Sequence, residues 1–308
     1  MLKTPSKSLL LQKLESANKR IPLTPSQSSQ YIRESAGYEG ELFLSKYLKE
    51  SLEVDHIALY GLHLEDNQKE FQIDCLLILQ DEIYVIEVKH YRGEYEIVRN
   101  DWRNVHNGFL IETPLVQLNR AKRLLENFLK KMQVNLKVNE VLILTNEEFI
   151  LFKSDHSRNV IMRQQLRRFV NQLNSRHSNL SDWHKVFAEK LISRHIIESK
   201  YQEKLEFEFE LMKKGMRCDE CDGWLGTTRK YSRKNLYCMT CESKVDLETA
   251  VLKCINEYQL LFPKRKITVN TIFEWSGECV SCHMIRKVLN KYYVPVGTTK
   301  GKYYLPID

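Results

Sequence analysis

Apolar positions alternate most clearly between Phe71 and Lys89. There FQIDCLLILQDEIYVIEVK holds two runs rich in Ile, Leu, Val and Tyr around the polar break Gln80-Asp81-Glu82. Two such runs with a short polar break predict a β-hairpin. Upstream, GYEGELFLSKYL has helical spacing and predicts a short helix, in which Glu41 shares the face of Leu44 and Leu48. Downstream, Pro114 starts a second helix, and Gln117 opens its amphipathic stretch QLNRAKRLLENFLKKM. VLILTN at 141–146 predicts a further core strand, and NVIMRQQLRRFVNQL a basic surface helix bearing Arg163, Arg167 and Arg168. From Ser181 to Met216 the chain is polar and almost free of Gly and Pro, which predicts a solvated helical spacer. The first thirty residues, with Pro5, Pro22, Pro25 and several serines, predict a loosely ordered segment.

Charge changes the reading of the hairpin. Asp74, Glu87 and Lys89 interrupt runs that are otherwise apolar. Successive strand residues alternate faces, so Glu87 and Lys89 point the same way, beside Ile83 and Val85. If the turn closes between Gln80 and Asp81, Asp74 falls opposite Glu87. Paired Cβ atoms in such a ladder lie about 5 Å apart, within reach of one bridging divalent cation. Burying these charges unpaired would cost several kcal/mol, so a metal or partner is expected. The bland alternative is an ion pair at a strand end or on a solvent-facing strand.

Glu41 in GYEGE, Asp74 in IDCLLI, Glu87 and Lys89 in IEVKHYRGEY, and Gln117 in PLVQL occur in an order that resembles the nuclease-related domain (NERD) family. That family belongs to the restriction-endonuclease-like PD-(D/E)xK superfamily. The resemblance covers residues 33 to 150, and Ile73 stands where the superfamily often has proline before the acid. It implies that Asp74 and Glu87 hold Mg²⁺ or Mn²⁺, with Glu41 completing or supporting the metal shell. It implies also that Lys89 positions or helps deprotonate the attacking water and stabilises charge on the phosphate, while Gln117 orients the site or touches the backbone. DNA as substrate is likewise an implication of the family, not of these residues.

Composition adds limits. At 308 residues there is room for two or three domains, and 43% hydrophobic content suits globular folding. The net charge of +7 favours a polyanionic partner without naming one. No apolar run approaches the roughly eighteen residues needed to span a bilayer, and Leu9-Leu10-Leu11 is too short for a signal-peptide core. A cytoplasmic location with reduced thiols is expected, so clustered cysteines point to metal.

Cys218, Cys221, Cys238 and Cys241 form a C-x2-C-x16-C-x2-C pattern, the spacing of a structural four-thiolate Zn²⁺ site. Tight turns helped by Gly223 and Gly226 would carry the two pairs. Between them Arg229, Lys230, Arg233 and Lys234 interleave with Trp224, Tyr231 and Tyr237. That mixture suits either nucleic-acid contact or a solvated basic face. Farther on, CVSCH at 279–283 matches the c-type haem attachment signature. Its surroundings suggest otherwise, since TVNTIFEWSG and CHMIRKVLNKYYV have helical spacing and VGTTKGKYYLP reads as a hairpin. Helix, turn, helix and wing resemble a winged helix-turn-helix, with His283, Arg286 and Lys287 placed to face a groove. In that frame Cys254, Cys279 and Cys282 read as packing residues, with a second, three-thiolate metal site as the alternative, and Cys75 reads as core on a strand face shared with Phe71, Ile73 and Leu77.

The expected architecture is α/β, with a restriction-endonuclease-like mixed sheet flanked by helices. Its parts are a loosely ordered segment (1–30), a nuclease-like domain (31–175), a helical linker (176–216), a zinc ribbon (217–245) and a small winged-helix-like domain (246–308). The expected activity is divalent-metal-dependent hydrolysis of DNA phosphodiesters, with the C-terminal modules recruiting the enzyme to nucleic acid. Two other readings stay open at this point: a DNA-binding or regulatory protein with a catalytically inactive core, and a C-terminal tail that docks a protein partner.

Overall fold

The computed structural model describes residues 3–99, 101–152, 159–196, 205–226, 235–298 and 301–307. It divides into two compact units, Met1–Ser8 with Ile32–Gln202, and Leu9–Tyr31 with Glu203–Asp308. Two helices come first, α1 (Leu9–Asn18) and α2 (Pro25–Ser51), and the division falls within α2. The helix expected around Glu41 is thus far longer than the apolar spacing alone indicated.

The first unit is a three-layer α/β/α structure. Its strands are β1 (Ile57–Asp66), β2 (Lys69–Ile78), β3 (Glu82–Lys89), β4 (Gly93–Val98), β5 (Asp101–Asn104) and β6 (Leu110–Ile111), followed by α3 (Pro114–Lys131). Then come β7 (Lys137–Leu144), β8 (Phe149–Phe152), β9 (Val160–Met162), α4 (Leu166–Asn174) and α5 (Asp182–Ser193). The central mixed sheet has the order β1-β2-β3-β7-β9, antiparallel through β3 and parallel beyond it. A smaller sheet, β6-β5-β4-β8, branches off after β3. On one face of the central sheet α2 and α4 bury Leu44, Leu48, Phe169 and Leu173. On the other, α3 and α5 bury Leu118, Leu125, Phe187 and Leu191. The expected spacer therefore begins with α5 packed into a core. Residues 197–204 of that spacer lie outside the described residues.

Local chemistry sets these elements. Thr113 caps α3 by accepting from the Leu115 N–H, Pro114 occupies the first turn, and Lys130 and Lys131 sit at the negative end of the helix dipole. The β2–β3 hairpin closes with a two-residue loop, Gln80-Asp81, where the Leu79 N–H donates to Glu82 O at 2.9 Å. The Gln80 N–H donates to Ser178 Oγ and its carbonyl meets His184 Nε2 at 2.9 Å, which fixes the tip.

The second unit contains β10 (Leu225–Gly226), β11 (Asn235–Cys238) and β12 (Lys244–Asp246), which form a small antiparallel sheet. After them come α6 (Leu247–Leu261), α7 (Val269–Trp275), α8 (Cys282–Tyr292) and the hairpin β13 (Tyr293–Val296) with β14 (Tyr303–Pro306). Trp275, fully buried, centres a core with Phe209, Tyr258 and Phe262. Cys254 is buried there, as expected of a packing residue, and Met212 and Met216 from the end of the expected spacer join the same core.

The N-terminal stretch departs from the loosely ordered segment expected of it. Leu11, Leu14 and Ala17 of α1 are buried, and Arg20 after it has a fully buried side chain. Its guanidinium pairs with Glu257 through Nε and Nη2, donates to the carbonyls of Lys213 and Gly215, and lies 3.9 Å from the Trp275 ring centroid. A buried cation satisfied on every side holds its segment in place, because losing the partner on either side would strand a charge.

Candidate nuclease centre and zinc site

The ladder between β2 and β3 pairs Cys75 with Ile86, Leu76 with Val85, Leu77 with Tyr84 and Ile78 with Ile83. The next rung sets Asp74 opposite Glu87, the register expected from the turn. At that rung the ladder ends and the acid replaces the backbone: Asp74 Oδ2 accepts from the Val88 N–H at 2.8 Å. Across β1, Tyr60 pairs with Cys75 and Leu62 with Ile73, so Gly61 stands opposite Asp74. Gly61 has φ of +56°, a conformation that L side chains rarely adopt.

These two positions invert the sheet. On β1, Leu59 and Leu62 face the same core, as do Ile73 and Leu76 on β2. Alternation would put them on opposite faces, so both strands slip by one residue at Gly61 and Asp74. This corrects the reading of Cys75. It is buried, but with Leu77 and Tyr60 on the α2 side, while Phe71 and Ile73 face α3. Nothing in the alternation of β2 alone signals the slip; the glycine inside the apolar run IALYGLHL does.

Around the inverted rung five groups gather. Asp74 is 8% exposed and Glu87 2%. Lys89 Nζ lies 2.6 Å from Glu87 Oε1 and donates to Gln117 Oε1 at 3.2 Å, joining β3 to the first turns of α3. Glu41 reaches in from α2, whose approach depends on the residue before it. A Cβ at Gly40 would sit 2.9 Å from Thr145 Oγ1 and 3.1 Å from His90 Cβ, so only glycine lets the helix come this close. Thr145, fully buried, ties the end of β7 to β3 through its N–H to Lys89 O at 3.0 Å. Gly40 and Gly61 have no side chain and the Thr145 hydroxyl is taken up by Lys89 O and His90 Nδ1, so residue chemistry does not single them out.

The electrostatics are those of crowded acids. Burial, then the charge of Asp74, pushes Glu41 up to about 8, although Lys3 opposes the shift. Burial, then Asp74, raises Glu87 to about 7 against the pull of Lys89. Asp74 is also raised, by burial, despite its hydrogen bond from Val88. Burial works against the Lys89 ammonium, but Glu87 and Asp74 outweigh it and its pKa goes up. Glu87 Oε1 is buried, and the Lys89 ammonium 2.6 Å away is its partner. Hard oxygen donors and their mutual repulsion fit a divalent cation. Mg²⁺ commonly takes only one or two carboxylates and keeps its waters. Among the described residues, the only three or more His, Cys, Asp or Glu groups with ligand atoms all within 4.8 Å are the four cysteines.

Those cysteines form the second site. Cys218 Sγ lies 3.8 Å from Cys241 Sγ, and Cys221 Sγ 3.4 Å from Cys238 Sγ. A tetrahedron with Zn–S bonds of about 2.3 Å has edges of about 3.8 Å. The residue after the second cysteine of each pair is left-handed, Asp222 at φ 57° and Glu242 at φ 58°. The turns therefore rest on these two residues rather than on Gly223 and Gly226. Gly223 has a different duty, since a Cβ there would meet Thr240 Oγ1 at 2.5 Å. Ser243 Oγ lies 3.1 Å from Cys218 Sγ and 3.2 Å from Cys241 Sγ, and the Thr240 N–H donates to Cys238 Sγ at 3.3 Å. Such contacts favour thiolates, and the Cys218, Cys238 and Cys241 pKa values fall below the ordinary thiol value, chiefly through Ser243, the Cys241 N–H and Ser243 respectively. The donor set fits Zn²⁺ in a closed, structural role.

Of the residues expected to touch nucleic acid, His283, Arg286 and Lys287 are exposed on α8, on the side away from buried Ile285, Val288 and Leu289. Arg229, Lys230, Arg233 and Lys234 lie outside the described residues.

The α/β core thus brings Asp74, Glu87, Lys89 and Glu41 to the end of one β-hairpin. The family model described as nuclease-related domain, NERD, matches residues 36–145, little more than a third of the chain. No curated protein and no solved structure matches the chain. No helix among the described residues is long and apolar enough to cross a membrane.

Proposed function

We propose that the first unit is a divalent-metal-dependent deoxyribonuclease and that Glu41, Asp74, Glu87, Lys89 and Gln117 are its working residues. The observation that carries this reading is the Asp74–Glu87 rung with Lys89 Nζ 2.6 Å from Glu87. Asp74 and Glu87 would hold Mg²⁺ or Mn²⁺, with Glu41 supporting from α2. The bound cation supplies Lewis acidity toward a phosphate oxygen and lowers the pKa of water. Asp74 is pre-aimed, because its second oxygen is anchored on the Val88 N–H. Lys89 places positive charge where the pentacoordinate phosphate gains negative charge, and it orients the attacking water. Gln117 is a second acceptor for the ammonium through Oε1 and so helps to orient Lys89 beside Glu87. A vestigial core commonly lacks an acid or the lysine, and this chain keeps both.

The second unit is read as a recruitment module. The cysteine cluster would bind structural Zn²⁺, and α6, α7, α8 and the β13–β14 hairpin follow the order of a winged helix. His283, Arg286 and Lys287 would then line its DNA-facing helix, with Arg229, Lys230, Arg233 and Lys234 of the ribbon as additional phosphate contacts. The test is incubation of the full chain with plasmid and single-stranded DNA in Mg²⁺ or Mn²⁺, alongside Asp74→Ala and Glu87→Ala. Metal-dependent cutting lost in both variants is expected. DNA binding without cutting by the wild type would turn the reading to a regulatory protein with an inactive core.

A further inference from the structure

The N-terminal segment of the first unit brings in a cation that the nuclease reading does not use. Lys3 lies along the open edge of β1 in a parallel bridge with Leu59, and the Tyr60 N–H donates to Lys3 O at 3.1 Å. Its side chain turns back over the strand. Nζ donates to Tyr60 O at 2.8 Å and to Gly61 O. A Cβ built on Gly61 would lie 3.6 Å from Nζ, so the ammonium occupies the space beside the glycine where a side chain would have projected. Gly61 is the residue opposite Asp74, and adjacent strands lie about 5 Å apart. The ammonium is thus fixed beside the same rung that carries Asp74 and Glu87.

Lys3 is only half-buried, and two carbonyls account for two of its three N–H donors. Among the described residues it makes no salt bridge within 4 Å; burial lowers its pKa, and the charge of Glu41 opposes that shift. Farther along the same segment, Ser8 Oγ donates to Glu34 of α2 at 2.8 Å and Lys7 Nζ lies 5.9 Å from the Tyr38 ring centroid. These contacts hold the segment against α2, the helix that supplies Glu41. A lysine kept solely to pin the segment could leave its charge anywhere on the β1 edge. Here the charge is pinned at the one rung where the sheet inverts.

We propose that Lys3 is a substrate-binding residue of the nuclease centre and grips a backbone phosphate of the DNA strand lying over Asp74. The proposal rests on the nuclease reading of the same site, and it assigns to the N-terminal segment the role of carrying one wall of the DNA track. Phosphate contact by a single lysine neutralises one charge and releases condensed counterions, so its loss has a defined salt signature.

The experiment compares wild type, Lys3→Met and Lys3→Arg as full-length chains. Binding to a short fluorescein-labelled DNA duplex is measured by anisotropy with Ca²⁺ in place of Mg²⁺, over a range of salt. Lys3→Met is expected to bind about threefold to tenfold more weakly and to lower the salt slope by about one, while Lys3→Arg restores both. In cleavage with Mg²⁺, Lys3→Met should raise KM more than it lowers kcat. Wild-type binding and slope in a folded Lys3→Met overturn the proposal, even where the wild type cuts DNA. Should Lys3→Met misfold, the same affinity and slope in Lys3→Gln would overturn it equally. A wild type that never cuts but loses the expected slope in Lys3→Met would instead leave this contact standing and remove the nuclease reading.

Discussion

Replacing Glu87 with glutamine keeps shape and removes charge, so it isolates what the buried acid does. Burial and the neighbouring Asp74 raise Glu87 from 4.5 to about 7. At roughly 1.4 kcal/mol per pKa unit, ionising it in the folded protein costs about 3 kcal/mol at alkaline pH. The sign follows from proton counting. Between about pH 4.5 and 7 the folded state holds a proton that the unfolded state has lost, so stability falls as pH rises and the whole penalty is present above pH 7. Glutamine does not titrate. In buffer without added divalent cations, Glu87→Gln should therefore be more stable than wild type at pH 8.5 by up to about 3 kcal/mol, and by only about 1 kcal/mol at pH 5.5. Lys89 loses one partner in the variant but keeps Gln117, and its opposing pull is already included in the net shift. Hydrogen exchange of the β2–β3 amides reads the first unit directly. About 10²-fold slower exchange is expected at pH 8.5 after correction for intrinsic rates. Mn²⁺ at about a hundred times its Kd should then stabilise the wild type by about 2.7 kcal/mol and leave the variant almost unmoved, which brings the two level. A Glu87→Gln protein less stable than wild type at pH 8.5 without metal, or one equally protected by Mn²⁺, would refute the reasoning.

Three further outcomes concern the supporting residues and the zinc site. Gly40→Ala forces a methyl group onto Thr145 and His90 and should destabilise the first unit by about 1–3 kcal/mol in urea unfolding, with weaker Mn²⁺ binding because Glu41 moves with α2. The second unit should contain one zinc per chain by elemental analysis. Cys238→Ser, or a strong zinc chelator, should abolish exchange protection in β10–β12 while the β2–β3 amides stay protected, because structural zinc contributes directly to folding free energy.

Much of the centre was legible because its signals are local. The two-residue break at Gln80-Asp81 fixes the hairpin register, and register alone puts Asp74 opposite Glu87. Cysteine spacing likewise brought four thiols together, since two short pairs can meet across one ribbon. What the sequence hid depends on distant partners. Arg20 belongs to a core because Glu257 and Trp275 receive it, more than 230 residues later, and a proline- and serine-bearing stretch gives no hint of that. The face of Cys75 differs from the alternation for a related reason. Its strand keeps a regular apolar run through Asp74, and the slip that inverts it is shared with Gly61 on the neighbouring strand. Helix α2 exceeds its apolar motif because its first half, PSQSSQYIRESA, has little helical patterning of its own.

The central claim is that Asp74, Glu87 and Lys89 form one metal-dependent phosphodiesterase centre. Its most direct test is single-turnover cleavage of end-labelled DNA, started by Mn²⁺, with wild type and Lys89→Met at equal folded concentration. Loss of the lysine should slow the chemical step by about 10²–10³-fold while Mn²⁺ binding persists. Cleavage at the same rate in both proteins, or none by the wild type on any DNA form, would contradict the account.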